Sequence, residues 1–162
     1  MGSVSLENTF YLKKLIQTCR KHGCECHAYV LMMNHVYYCY LLTPQLERSI
    51  PKAIQMIGCY YVECSNHNYH HRTGTLWEGR YKTSLIDSEL YLLTCCRYIE
   101  LNPVRVNMVT HPSEYPWSSY RCNASGIENL LITHHSEYTA LANTDKKRQL
   151  AYRDLFKLYI AD

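Results

Sequence analysis

The amino-acid sequence predicts an α+β fold. Apolar residues recur with a helical period over residues 7–22 and about 45–67. Between them, residues 24–32 and 35–42 read as two extended runs around a turn at Met33-Asn34. A third helical pattern follows at 87–102, so strands and helices mix along one chain. A length of 162 residues is enough for one domain with a real core.

The first helix is expected over residues 7–22, with Leu12, Leu15, Ile16 and Cys19 as its inward stripe. Arg20 and Lys21 suit the C-terminal end of a helix dipole, and Gly23 is a natural stop. Asn34 tolerates the positive φ of a tight hairpin turn. On the strand after it, His35 and Tyr37 are two residues apart and share a face, where a strand presents a metal site or a substrate contact. On this stretch alone, a half-buried hairpin with an incidental histidine is the better explanation of the pattern. Thr43-Pro44 ends the strand. The next helix buries Ile50, Ala53, Ile54, Ile57, Tyr61 and Cys64, with Ser49 as a nearby cap and Pro51 in its first turn or at a kink.

Residues 67–82 change composition. His67, His70, His71, Arg72, Arg80 and Lys82 interleave with Tyr69, Trp77 and Tyr81 against the single acid Glu78. Cations meet phosphates and flat rings stack on bases, so this loop is the candidate nucleic-acid surface. The structural alternative is a solvated loop with Trp77 plugged into the core. Residues 81–86 are expected as a short strand. A helix capped by Asp87 or Ser88 follows, with Leu92, Cys95, Cys96 and Ile99 inward, and Pro103 stops it. Tyr98 and Asn102 sit one turn apart on that helix, where a phenol and an amide oxygen can act together. Turn-rich residues 103–122 lead to helical residues 137–159. There Leu150, Leu155, Leu158 and Tyr159 are the expected docking face, and Lys146, Lys147, Arg148, Arg153 and Lys157 face outward.

The bulk numbers exclude several classes. No apolar run reaches the length of a membrane span, and the first residues lack the basic and apolar regions of a signal peptide, so a cytoplasmic protein is expected. A net charge of +3 is too small to argue a polyanionic partner by itself. Nine cysteines, an odd number in a chain not expected to be exported, argue for reduced thiols packed as small apolar residues. Cys24, Cys26 and His27 suggest zinc, but no CxxC or second cluster completes four ligands.

Five segments in order resemble a known family. They are His27-Ala28-Tyr29-Val30-Leu31-Met32, Asn34-His35-Val36, Gly74-Thr75-Leu76-Trp77-Glu78-Gly79-Arg80-Tyr81-Lys82, Arg97-Tyr98-Ile99-Glu100-Leu101-Asn102-Pro103-Val104-Arg105 and Tyr115-Pro116-Trp117-Ser118-Ser119-Tyr120. Together they resemble the single-tyrosine HUH transposases, in particular the REP-associated tyrosine transposases. The resemblance implies a ferredoxin-like antiparallel sheet backed by helices. It also implies cleavage and rejoining of single-stranded DNA near a hairpin through a 5′-phosphotyrosine. Carried over, Tyr98 is the nucleophile, and His35, Tyr37 and Asn102 hold a divalent ion, magnesium or manganese. Arg72, Trp77, Arg80, Lys82, Arg97 and Arg105 are the expected DNA contacts. The implied organisation is a catalytic domain over 1–122 and a C-terminal helical extension over 123–162, packed on the same domain. Related enzymes include dimers and monomers, so a homodimer is one of two allowed states.

Two departures set further expectations. Tyr37 stands where the family has its second histidine, and a neutral phenol is a poor substitute for imidazole, so metal affinity and cleavage are expected to be weakened or lost. The family's first strand is missing or truncated, because about six residues precede the first helix. In a ferredoxin-like sheet that strand is central, so a gap or a re-paired sheet is expected. The alternative function is a non-catalytic DNA-binding module, in which the loop at 67–82 outlives the metal site.

Overall fold

The structure, a computed structural model, describes residues 2–32, 37–68, 82–86 and 89–160. It is α+β, as expected. Helix α1 (Gly2–His22) leads to strands β1 (Cys24–Met32) and β2 (Tyr37–Pro44), then helix α2 (Ser49–Asn68). Helices α3 (Glu89–Glu100), α4 (Asn102–Arg105), α5 (Tyr120–Ser125), α6 (Ser136–Thr139) and α7 (Asp145–Asp154) follow, with a 3-10 turn at Pro112–Glu114. The chain forms two compact units, one of Met1–Glu25 with Pro44–Leu85, the other of Cys26–Thr43 with Ile86–Asp162.

In the first unit α1 pairs with α2. Its buried face runs through Asn8, Tyr11, Leu15, Thr18 and Cys19, while Leu12 and Ile16 are only half-buried. The expected stripe is therefore right in period and rotated toward Tyr11 and Thr18. On α2, Ala53 and Ile57 are buried, and Pro51 lies in the first turn, where its missing N–H costs nothing. Gly23 ends α1 at φ +65°, a left-handed conformation that glycine adopts without strain, and its carbonyl accepts from the Gln45 amide at 2.8 Å.

The second unit is built on β1, whose residues from Cys26 to Met32 are all buried. Among the described residues the sheet has two strands, β1 and β2. The edge of β1 turned away from β2 is filled from the C-terminal part of the chain. Leu31 N–H donates to the Trp117 carbonyl at 2.9 Å, Ser119 N–H to the Tyr29 carbonyl at 3.0 Å, and Thr133 N–H to the Cys26 carbonyl at 2.8 Å. The Tyr115 hydroxyl donates to the Leu31 carbonyl at 2.5 Å. The segment 115–120 thus serves β1 as a partial third strand, satisfying backbone groups that would otherwise be buried without partners.

Three expected elements differ. Residues 82–86 form no strand. Pro103 does not simply end a helix: α3 stops at Glu100, and Pro103 opens α4, where its lack of an N–H is tolerated. The helical stretch expected over 137–159 is two short helices, α6 and α7, separated by residues 140–144. Its docking face is also shifted. Leu158 is 90% exposed and Leu150 and Tyr159 are more than half exposed, whereas Tyr152 and Phe156 are fully buried, one turn apart. Their rings pack against Tyr138 and Tyr120 with centroids 5.5 and 4.9 Å apart. Buried tyrosines at 29, 115, 120, 138 and 152 show that much of the tyrosine in this chain is core.

Candidate nucleophile and nucleic-acid site

Helix α3 carries its apolar face inward through Leu92, Cys96 and Ile99, with Cys95 half-buried. A helix with that face buried turns Tyr98 outward, and its ring is 55% exposed. Asn102 lies one turn on and is nearly buried. Backbone bonds from Leu101 N–H to the Arg97 carbonyl (3.0 Å) and from Arg105 N–H to the Leu101 carbonyl (2.9 Å) keep the helical path through the α3–α4 junction. Tyr98, Asn102 and Arg105 therefore share one face, and long side chains lean back toward the N-terminus.

Arg105 closes this group. Its guanidinium carbon lies 3.8 Å from the centroid of the Tyr98 ring, a cation–π contact. Its Nη2 donates to the Asn102 Oδ1 at 2.9 Å and also to the Tyr98 carbonyl. The second bond ties Arg105 to the backbone of the residue whose ring it covers. Asn102 Nδ2 is buried with no hydrogen-bond partner among the described residues.

Beneath this face lies Glu100, fully buried at the end of α3. Its Oε1 accepts from Ser119 Oγ (2.5 Å) and Asn123 Nδ2 (2.8 Å), and its Oε2 from the Tyr152 hydroxyl (2.7 Å). Burial pushes its carboxyl up to about 7, with the three donors pulling the other way. Sequence reading missed Glu100, Ser119, Asn123 and Tyr152. The only available signal was an acid on the inward side of an apolar helix.

The remaining expected site residues fall in three groups. His35, Arg72, Trp77 and Arg80 lie outside the described residues, and Tyr37 is described only as the first residue of β2. Lys82 is exposed. Arg97 adjoins Tyr98 in sequence, but its Nη1 donates to the Leu155 carbonyl at 3.2 Å and its guanidinium lies 4.5 Å from the Tyr159 ring centroid. In this structure it braces the chain after α7.

No group of three or more His, Cys, Asp or Glu suited to a metal occurs among the described residues. His27 instead bridges two segments. Its Nδ1 lies 2.6 Å from the Thr133 carbonyl, which only accepts, so Nδ1 carries the proton and Nε2 accepts from Thr43 Oγ1 at 2.7 Å. Burial raises the Cys19, Cys24, Cys96 and Cys122 thiols, which keeps them protonated packing groups.

Comparison with known families decides the lineage. The family model described as "Transposase IS200 like" matches residues 6–102, from α1 to Asn102, the second residue of the face just described. The chain belongs to the IS200-like transposases. No curated protein and no solved structure matches it. Membership makes this a transposase-family protein with DNA as the partner class. Among the described residues, no helix is long and apolar enough to cross a membrane.

A divalent ion belongs to the chemistry that the resemblance implies, and its fit can be judged at Asn102. The Oδ1 that would ligate an ion already accepts from Arg105, and the other atom of the amide is a donor. The described part of the ligand set offers one oxygen, and that oxygen already accepts a hydrogen bond from a cationic side chain.

Proposed function

We propose that this IS200-like transposase binds single-stranded or hairpin DNA and cleaves and rejoins it through Tyr98. The reading rests on one observation: an exposed phenol held one turn from Asn102 and lined by an arginine, on the last helix that the family match covers. In the proposed step, Tyr98 Oη attacks the scissile phosphorus. The Oη–P bond forms and the P–O3′ bond breaks. The phenol proton passes to water, and the departing 3′ oxygen takes a proton from water. The 5′-phosphotyrosine keeps the phosphodiester energy for rejoining. Arg72, Trp77, Arg80, Lys82 and Arg97 are the proposed contacts to the rest of the strand, Arg97 after release from Leu155. The proposed place of action is the cytoplasm.

With Tyr37 in the second metal position, magnesium or manganese is proposed to bind weakly, and cleavage to be slow. The engagement of Asn102 Oδ1 by Arg105 favours that reading and also the second one, a non-catalytic DNA-binding module. A denaturing-gel assay for a protein–hairpin adduct, with magnesium or manganese, separates them. The expected result is a faint adduct that Tyr98→Phe abolishes and Tyr37→His strengthens at least tenfold. Salt-dependent hairpin binding, with no adduct from either Tyr37 form, would leave the binding module as the function.

A further inference from the structure

We infer that Arg105 is a phosphate-binding catalytic residue, and that its guanidinium supplies at the nucleophile the positive charge that a weakened metal site cannot. The inference rests on the proposal that Tyr98 attacks DNA. It goes further by naming what neutralises the phosphate.

Four observations meet at one side chain. First, the guanidinium lies against the Tyr98 ring, its carbon 3.8 Å from the centroid, so its charge is within reach of any group that the phenol reaches. Second, two anchors fix it, the Tyr98 carbonyl and Asn102 Oδ1, and both bonds leave from one nitrogen, Nη2. A guanidinium carries five N–H donors in a planar fork, and the fork matches two phosphate oxygens. Third, its charge is not neutralised. The ion pairs among the described residues are Arg148–Asp145 and Lys157–Asp154, and Arg105 is exposed with no carboxylate partner among those residues. Fourth, Arg105 holds the same oxygen that a divalent ion would need.

The balance of charge follows from this. As Tyr98 Oη bonds to phosphorus and the P–O3′ bond opens, negative charge builds on the non-bridging phosphate oxygens. A guanidinium held beside the phenol stabilises that charge without being reorganised at the moment of reaction. This contribution needs no metal ion.

The test is hairpin binding and adduct formation in chelator, using the full chain with Arg105→Ala, Arg105→Lys and Tyr98→Phe. Arg105 is exposed, so its replacement is not expected to unfold the protein; a melting curve checks this. Arg105→Ala is expected to weaken hairpin binding about tenfold and to flatten the plot of log affinity against log salt by about one contact, while Arg105→Lys keeps the slope. The adduct seen in chelator is expected to fall at least tenfold in Arg105→Ala and to persist in part in Arg105→Lys. An unchanged salt slope in Arg105→Ala overturns the inference, as does a faster metal-dependent adduct in that variant, because Arg105 would then only obstruct Asn102. An adduct that the parent chain forms with magnesium or manganese but not in chelator overturns the catalytic role of Arg105; absence of any Tyr98 adduct under both conditions overturns the nucleophile reading instead, and the salt slope still decides whether Arg105 holds a phosphate.

Discussion

Glu100 is a carboxylate placed where water cannot reach it, two residues from Tyr98 on the opposite side of the helix. Three neutral donors hold it, from Ser119, Asn123 and Tyr152. Removing it orphans all three, and a buried polar group without a partner costs about 1–3 kcal/mol. Glu100→Ala is therefore expected to destabilise by about 3 kcal/mol or more in chemical denaturation. Glu100→Gln keeps an acceptor for Ser119 and Asn123 and offers an N–H to the Tyr152 hydroxyl, so near pH 4.5, where the buried carboxyl is protonated, it is expected to stay within about 1 kcal/mol of the parent. The pH response separates the two forms. Burial raises the folded-state value from 4.5 to about 7, so the folded chain holds a proton that the unfolded chain releases at lower pH. The contribution is fully present below 4.5 and is lost as pH rises to about 7, a difference of about 3 kcal/mol. Melting temperature measured from pH 4.5 to 7.5 should fall more steeply for the parent than for Glu100→Gln. Parallel curves would show that Glu100 is ionised in the folded chain across this range.

At the scale of elements, some of the structure was legible and some was not, for physical reasons. Helix α3 was readable because Leu92, Cys96 and Ile99 recur at helical spacing, and the same spacing set Tyr98 and Asn102 on a shared face. The α1 terminus was readable because a glycine must supply positive φ there. The third partner of the sheet was not readable. Segment 115–120 bonds to β1 across 84 to 90 residues of sequence, and Tyr152 reaches Glu100 across 52. No local pattern encodes such pairings. The end of α5 carries a local signal of the same kind, one that the sequence reading did not use. Gly126 caps it at φ +70°, and a Cβ built there would clash with the side-chain amide of Gln149. Gln149 is flexible and can move aside, but a side chain in the left-handed region costs about 1 kcal/mol. Gly126→Ala is expected to lower stability by that amount and to leave hairpin binding unchanged. A loss of several kcal/mol in denaturation would mean that Gln149 cannot yield.

At the scale of the whole molecule, the family match and the folding unit do not coincide. The match ends at Asn102, yet the core of the second unit is completed far beyond it by Tyr120, Tyr138, Tyr152 and Phe156. The sequence alone suggests a boundary near residue 122. A chain cut there would keep segment 115–120 but lose Asn123 and Tyr152, two of the three donors to Glu100, and would uncover Tyr120 and the Cys26 carbonyl. Losing even one buried aromatic such as Phe156 typically costs about 3–5 kcal/mol, a large part of the 5–15 kcal/mol that holds a domain together. The fragment 1–122 is therefore expected to be unfolded or to associate through exposed apolar surface. Size-exclusion chromatography with light scattering, alongside near-ultraviolet circular dichroism, reads both outcomes. A monodisperse fragment with a cooperative melt would show that residues 123–162 are a dispensable extension. The expected failure would make them part of the scaffold that holds α3, and with it Tyr98, in place.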